Sequence, residues 1–312
     1  INRGWLFHSG ESTPSITTAK AKADGWKLVN VPHDFQIEQP WVAPDASEKA
    51  DNSDAGANIK SRLSARGFKE MGGGWYVKTF TPASEDKGKR CLIDFQGIMY
   101  LGDVYLNGKR IGGTDYGYVG FEIDITKALR YGEENTIAVY ANTADSKNSR
   151  WYTGGGLFRD VNIVYTDSKL YFNRHSLCIS TRENKFVDIT ADVQCNTKQP
   201  NIDMQVIVTS PDGTVVSDKK YNLKRIRSYR YGQEFSIPSI EIADAKLWDC
   251  EHPNLYTATV RLLREDSSVS DFKFSTLEYK RPDFEAIGTF AEKMAEQMKQ
   301  AASYEELKKL MA

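Results

Sequence analysis

Two carboxylates lie at the spacing that acid–base hydrolysis of a glycosidic bond would use. Glu122 and Asp124 are one residue apart, and in a strand this spacing places both side chains on one face, opposite apolar neighbours. Two carboxylates at short range can protonate a leaving oxygen and attack a sugar carbon or activate water. The same alternation is typical of a sheet face that is exposed to water. The pair therefore has two interpretations, a hydrolytic one and a structural one.

Other residues that could bind a metal ion or form a disulfide are scattered along the chain. His33 and Asp34 are adjacent, but a metal-dependent hydrolase needs further His and Asp ligands, and the chain has only four histidines. We interpret the pair as structural and predict no zinc site. The four cysteines, none in a C-x-x-C spacing, are Cys91, Cys178, Cys195 and Cys250. Cys195 is expected to be a small buried residue, and one long-range disulfide remains open.

A run of three glycines, Gly154–Gly156, resembles a phosphate-binding loop. Such a loop needs a helix directly after it, so that the helix N-terminus faces the anion. Here the apolar alternation from Leu157 to Val164 predicts a strand instead. We therefore expect no phosphate site at these glycines.

Composition excludes two classes of partner. Lys and Arg total 41 and Asp and Glu total 42, a formal net charge of −1 that argues against nucleic-acid binding. No apolar run is long enough to span a membrane, so no membrane partner is predicted. The chain begins at Ile1, and the expected location is periplasmic or extracellular if a signal peptide was removed, and cytoplasmic otherwise.

The elements that must position these residues are mostly strands. Val187–Cys195 alternates apolar and polar residues, and Thr136–Ala141 and Tyr256–Leu262 behave similarly. Asn107-Gly108 predicts a type I′ hairpin, and Pro211-Asp212-Gly213 predicts a turn. Many short strands with frequent turns indicate an all-β fold of antiparallel sandwiches.

The strand pattern predicts two β domains and a helical tail. We place a jelly-roll sandwich at 1–167, an immunoglobulin-like sandwich at 168–275 and the tail at 276–312. Residues 1–74 are less regular, and Ala43 to Lys69 is expected to be a polar surface excursion. Phe284, Ile287, Met294 and Met298 would form one face of the first tail helix. The tryptophans expected to pack in cores are Trp5, Trp26, Trp75 and Trp248.

In order along the chain, six segments resemble the N-terminal, non-catalytic region of glycoside hydrolase family 2, which includes β-galactosidases and β-glucuronidases. Each motif alone is weak, but their shared order makes the resemblance specific. The segments are Trp26–Phe35, Gly73–Phe80, Phe95–Gly97 with Val104–Lys109, Phe121–Thr126, Ser149–Val161, and Leu247–Tyr256.

The resemblance implies a galactose-binding-like jelly-roll followed by an immunoglobulin-like domain. In the family, a (β/α)8 barrel with both catalytic carboxylates follows, and such a barrel needs about 250 residues. Only 41 residues follow Asp271, and no Asn-Glu dipeptide, which would mark the family's acid/base Glu, occurs in the chain. The chain is therefore expected to lack the barrel and to be inactive alone.

The resemblance also implies where a sugar would bind. It identifies Asp160 and Trp151 as substrate-binding residues, with Asp160 also close to a cation in the complete enzyme; no cofactor is expected in this chain alone. A second family contact, an Asn, is replaced here by Met99. The alternative for Asp160 is an ion pair with Arg150 or Arg159 that fixes the loop.

Three functional hypotheses follow. The chain is the sugar-binding and immunoglobulin-like part of a family 2 glycosidase, with a weakly bound carbohydrate and an absent barrel as its partners. Alternatively, it is a stand-alone module that binds carbohydrate or a protein, with self-association through the tail helices. The third hypothesis is a jelly-roll enzyme that uses Glu122 and Asp124.

Overall fold

The computed structural model describes residues 1–42, 68–144, 152–183, 185–195, 198, 201–230 and 232–278, and residues 272–278 by their backbone. The chain divides into two compact units, Ile1–Thr166 and Asp167–Ala312, which we call unit 1 and unit 2. Three predicted features lie outside the described residues. They are most of the excursion after Ala43, the motif residues Arg150 and Trp151, and the tail helices.

Unit 1 contains two antiparallel sheets. Its strands are β1 (Trp5–Ser9), β2 (Lys27–Val29), β3 (Gly73–Phe80), β4 (Arg90–Phe95), β5 (Leu101–Leu106), β6 (Lys109–Thr114), β7 (Phe121–Asp124), β8 (Asn135–Asn142) and β9 (Val161–Thr166). A six-stranded sheet has the order β2-β1-β3-β8-β5-β6, and a three-stranded sheet has the order β7-β4-β9. The described part of this unit also contains one helix, α1 (Thr18–Ala23), and two 3-10 turns, at 36–38 and 84–86.

The core of unit 1 lies between these two sheets. Strand alternation turns one face of each sheet inward, so both contribute to one cluster of buried side chains. Its members include Tyr76, Val104, Val139, Ile93, Phe95 and Val161. A smaller cluster covers part of the opposite face of the six-stranded sheet, where α1 and Trp26 pack on Trp75 and Val77.

Unit 2 is built from two four-stranded antiparallel sheets. Its strands are β10 (Tyr171–Arg182), β11 (Phe186–Gln194), β12 (Asn201–Thr209), β13 (Val215–Lys224), β14 (Arg227–Tyr229), β15 (Gly232–Glu241), β16 (Leu255–Leu263) and β17 (Val269–Glu278). The orders are β10-β11-β15-β14 and β13-β12-β16-β17, and a single buried cluster draws on both sheets. The nearly all-β fold predicted from the sequence is confirmed.

Several local predictions are confirmed as well. Val187, Ile189, Ala191 and Val193 are all buried, as the alternation requires. Asn107 (φ 51°) and Gly108 (φ 80°) join β5 to β6 with the left-handed conformations of a type I′ turn. No helix of the described residues is long and apolar enough to cross a membrane.

Other expectations are corrected. Trp5, Trp26 and Trp75 are buried, but Trp248 is only partly buried and lies outside the core cluster of unit 2, because its loop before β16 follows no strand alternation. The strand expected from Leu157 begins only at Val161. The less regular first segment contains β1, α1 and β2. All four cysteines carry free thiols, and Cys195 is only partly buried.

Candidate functional site

Asp160 lies directly before β9 of the three-stranded sheet. The amide of Gln96 donates to the carbonyl oxygen of Asp160 at 3.0 Å. The amide of Val161 donates to Oδ1 of Asn2 at 2.8 Å, so the backbone is held on both sides of Asp160. The side chain is partly exposed, and no hydrogen bond or ion pair engages its carboxylate within the described residues. A fixed backbone thus presents a carboxylate whose oxygens are open to a ligand.

The proposed ion pair between Asp160 and Arg159 is not formed. The guanidinium of Arg159 lies over the ring of Phe158, 5.0 Å from its centroid. Its Nη1 donates to the carbonyl oxygen of Gln96 at 3.4 Å. Cation–π attraction and this hydrogen bond hold Arg159 away from the carboxylate. The other candidate partner, Arg150, and the predicted sugar contact Trp151 lie outside the described residues.

The loop between β4 and β5 is joined to the glycine run. Met99 and Gly156 exchange two backbone hydrogen bonds, of 2.8 and 2.6 Å. The side chain of Met99 is almost fully buried, so it offers no polar group at the position of the family's Asn. The segment before β9 therefore rests on the segment that leads into β5.

The glycine run is close to the segment from His33 to Phe35. Gly156 has a φ of 109°, and a Cβ there would overlap the Tyr76 hydroxyl and lie 3.0 Å from the carbonyl oxygen of His33. A Cβ on Gly155 would approach Thr143 to 2.7 Å. The run therefore serves a close backbone approach rather than phosphate binding.

Asp34 connects the two segments. Its Oδ1 accepts hydrogen bonds from the amides of Gln36 (3.0 Å) and Gly155 (2.8 Å). Its Oδ2 accepts one from the hydroxyl of Tyr152 at 2.8 Å. Charge-assisted bonds of this kind are stronger than neutral ones. Asp34 is thus a structural carboxylate, as interpreted from the sequence.

His33 is enclosed by aromatic residues and one carboxylate. Its Nδ1 lies 2.8 Å from the hydroxyl of Tyr76, and its ring packs on Phe7 with centroids 4.9 Å apart. Its Nε2 is buried without a hydrogen bond, 3.7 Å from Oε1 of Glu38. Burial lowers the pKa of His33 below its ordinary 6.5 and outweighs the opposing charge of Glu38, while Lys27 lowers it further. Burial also raises the pKa of Tyr76 well above 10.

The lowered pKa of His33 predicts that unit 1 loses stability in mild acid. The unfolded state binds a proton near pH 6.5 and the folded state only at lower pH, so stability falls as pH decreases through a window that begins near pH 6.5. The pKa of Glu38 is lowered below 4.5, mainly by its hydrogen bond with Lys27, so Glu38 titrates below this window. The melting temperature should fall less over this window in His33→Gln. Equal losses in parent and variant would contradict this assignment.

Glu122 and Asp124 lie on the outer face of the three-stranded sheet, as the alternation predicts. Register places Glu122 opposite Asp94. Nε of Arg90 donates to Asp124 at 3.2 Å, and the hydroxyl of Thr126 donates to it at 2.6 Å. Burial opposes ionisation of Asp124, but these hydrogen bonds and the charge of Arg90 lower its pKa. Asp124 is thus held as a carboxylate by structural partners, which favours the structural interpretation of the pair.

Sequence reasoning missed the buried polar contacts behind the glycine run. Gln36 is fully buried, and its Nε2 donates to the carbonyl oxygen of Glu70 at 2.5 Å. Thr143 donates to Oε1 of Gln36 at 2.8 Å. Tyr152, which donates to Asp34, was also missed. No sequence period could identify these residues, because their partners are 34 to 118 residues away in the chain.

Comparison with known proteins places this geometry in a family. A profile described as "Glycosyl hydrolase 2 galactose-binding domain-like" matches residues 70–155, within unit 1. A second, described as "Glycosyl hydrolases family 2", matches residues 176–276, within unit 2. The chain belongs to glycosyl hydrolase family 2. It carries the N-terminal galactose-binding-like domain and the immunoglobulin-like domain of this family.

Curated relatives of this family 2 chain are larger proteins. A β-galactosidase of Bacteroides ovatus is 27% identical over 278 residues, which are 87% of this chain and 30% of that protein. A putative β-glucuronidase of Formosa agariphila is 28% identical over 290 residues, which are 90% of this chain and 25% of that protein. The chain thus spans about a quarter to a third of the length of these relatives.

Solved structures agree with this assignment to family 2. The crystal structure of a family 2 member from Bacteroides cellulosilyticus matches with a TM-score of 0.70 and 26% identity, over 89% of this chain and 36% of that chain. A β-glycosidase from Bacteroides vulgatus matches with a TM-score of 0.68 and 25% identity, over 89% of this chain and 33% of that chain. The family predicted from the sequence motifs is confirmed.

Proposed function

We propose that this chain is the sugar-binding side of a family 2 glycosidase that acts on β-galactosides or β-glucuronides. The observation that carries the proposal is the carboxylate of Asp160, which is partly exposed, lies on a fixed backbone and has no hydrogen bond or ion pair with a described residue, although its charge acts at longer range on the amino group of Ile1. A carboxylate in this state accepts hydrogen bonds from sugar hydroxyls without first giving up a protein partner. The catalytic carboxylates would come from a barrel, as the resemblance to family 2 implies.

In this proposal Asp160 binds and orients the sugar ring and takes no part in cleaving the glycosidic bond. Two hydroxyls of one sugar ring can donate to its two oxygens, which fixes the ring against the reacting carboxylates of the barrel. Met99 adds no polar contact here, because its side chain is buried. The proposed recognition therefore depends on Asp160, with Trp151 as a further contact that the resemblance implies.

The cation implied by the family fits this chain only in part. The described residues contain no group of three His, Cys, Asp or Glu side chains that could hold a metal ion. A hard cation takes six or more oxygen ligands, and Asp160 would supply one or two of them. A cation at Asp160 would thus need ligands from elsewhere in the complete enzyme, and we derive no step through it.

This chain by itself is expected to release no nitrophenol from 4-nitrophenyl glycosides. Two purified proteins are compared: this chain, and a barrel-joined form in which residues 1–278 precede the catalytic barrel of a family 2 β-galactosidase. The barrel-joined form should hydrolyse 4-nitrophenyl β-galactoside or β-glucuronide, because cleavage needs two carboxylates flanking one bond. Turnover by the chain alone that disappears in Glu122→Gln would overturn the proposal in favour of a jelly-roll enzyme. A folded but inactive barrel-joined form would favour a stand-alone binding module.

A further inference from the structure

An open cleft of about 500 Å³ lies on the outer face of the six-stranded sheet of unit 1. It lies over β5, β6 and the end of β8, beyond the area that α1 covers. Five of its lining residues carry planar polar or aromatic side chains: Asp103, Arg110, Asp115, Tyr140 and Asn142. We call this feature the β5–β6 cleft.

Only some atoms of the charged side chains in the β5–β6 cleft form hydrogen bonds with the described part of the protein. Nε of Arg110 donates to Oδ1 of Asp103 at 2.7 Å, and the two side chains are 61% and 40% exposed. Within the described residues, Oδ2 of Asp103 and both Nη groups of Arg110 have no protein partner, and neither has the carboxylate of Asp115. The ion pair between Arg110 and Asp103 is formed through Nε and Oδ1 alone, so the Nη donors of Arg110 and Oδ2 of Asp103 lie side by side and can bind a ligand.

The cleft is flanked by an aromatic wall and kept open by a glycine. The ring of Tyr140 lies 5.0 Å from that of Trp75, which is itself buried, so Tyr140 is supported from behind. Gly113 lies opposite Asp103 in register. A Cβ on Gly113 would overlap the carbonyl oxygen of Gly102 and lie 3.3 Å from Nη2 of Arg110. The absence of a side chain at this position leaves space beside the ion pair.

We propose that the β5–β6 cleft binds a neutral hexopyranose unit of an oligosaccharide. Neighbouring ring hydroxyls each donate one hydrogen bond and accept another, which matches a carboxylate placed beside a guanidinium fork. A supported aromatic ring adds apolar contact with the CH groups of a pyranose. Two carboxylates, those of Asp103 and Asp115, line the cleft together with one guanidinium, so the cleft repels a uronate and favours a neutral sugar.

The inference deepens the proposed function, with which it shares the saccharide class of the ligand. Asp160 directly precedes β9 of the three-stranded sheet, whereas the β5–β6 cleft lies on the six-stranded sheet. The loop 96–100 links the two places, because Gln96 bonds Asp160 and Leu101 lines the cleft. The cleft would hold a second sugar unit rather than the unit that Asp160 contacts.

The test titrates the chain with β-1,4-linked galactotetraose and follows backbone amide resonances by NMR. We expect shifts at cleft residues such as Gly113 and Asp115, with a dissociation constant in the millimolar range. Arg110→Ala should weaken binding about fivefold or more, because it removes charge-assisted hydrogen bonds. Its matched control is Arg182→Ala, which breaks an exposed ion pair with Asp188 in unit 2 and should leave binding unchanged. A glucuronate-containing disaccharide should bind more weakly than the neutral sugar.

Two outcomes would overturn the inference, and both are distinguishable from failure of the proposed function. The first is the absence of shifts at cleft residues in the parent chain while the protein is folded. The second is binding that is lost in Asp160→Asn and kept in Arg110→Ala, which would place the sugar at Asp160 and leave the proposed function intact. Binding lost in Arg110→Ala but kept in Asp160→Asn supports the cleft, whatever the kinetics of the barrel-joined form show.

Discussion

Gly156→Ala is expected to destabilise unit 1 by roughly 3–5 kcal/mol, the sum of a backbone cost and an overpacking cost. Gly156 has a φ of 109°, which an alanine adopts only with strain. The new methyl group would also overlap the Tyr76 hydroxyl, and Tyr76 is fully buried and cannot move aside. The backbone bonds between Gly156 and Met99 would be disturbed at the same time.

The matched control for Gly156→Ala is Gly88→Ala. Gly88 has a similar φ of 102° in the same unit, but nothing lies within 4 Å of its hypothetical Cβ. This variant should lose only the backbone term, about 1–2 kcal/mol. Urea unfolding followed by tryptophan fluorescence measures unit 1, because five of the six tryptophans fall in residues 1–166. Equal losses in the two variants would show that Gly156 is not a site of close packing.

Local chemistry made much of the fold predictable from the sequence. Alternation in Val187–Cys195 identified a half-buried strand, and Asn107-Gly108 identified a hairpin, because both signals depend on neighbouring residues alone. The order of the family motifs then identified the two domain types. The alternation and the turn signal each depend on residues that are close together in the chain, whereas the motif order was informative because it extends over most of the chain.

The site was less predictable, because its contacts join distant segments. Asp34 bonds Gly155, which lies 121 residues further along the chain, so the adjacent pair His33-Asp34 gave no indication of its partners. The ion pair of Asp160 with Arg159 was an incorrect alternative, because the guanidinium packs on Phe158 instead. Trp248 was expected in a core on the strength of its residue type, and its loop leaves it partly exposed.

The Asp160 carboxylate is proposed to bind sugar and not to support the fold. Within the described residues this carboxylate has no hydrogen bond or ion pair to lose, so Asp160→Asn should leave the melting temperature unchanged. In the barrel-joined form the same change weakens hydrogen bonds from sugar hydroxyls to a charged acceptor, each worth about 1.5–3 kcal/mol. The expected loss in kcat/KM is therefore roughly 10- to 100-fold. Asp24→Asn, which removes a carboxylate from an exposed ion pair with Lys20, is the matched control.

The most direct measurement is kcat/KM for 4-nitrophenyl β-galactoside and β-glucuronide, taken together with the melting temperature, for the barrel-joined parent, Asp160→Asn and Asp24→Asn. If Asp160 binds the sugar, Asp160→Asn alone should show a large loss of kcat/KM while keeping the melting temperature of the parent. A lowered melting temperature with unchanged kcat/KM in Asp160→Asn would contradict this role and would assign Asp160 to the support of its loop.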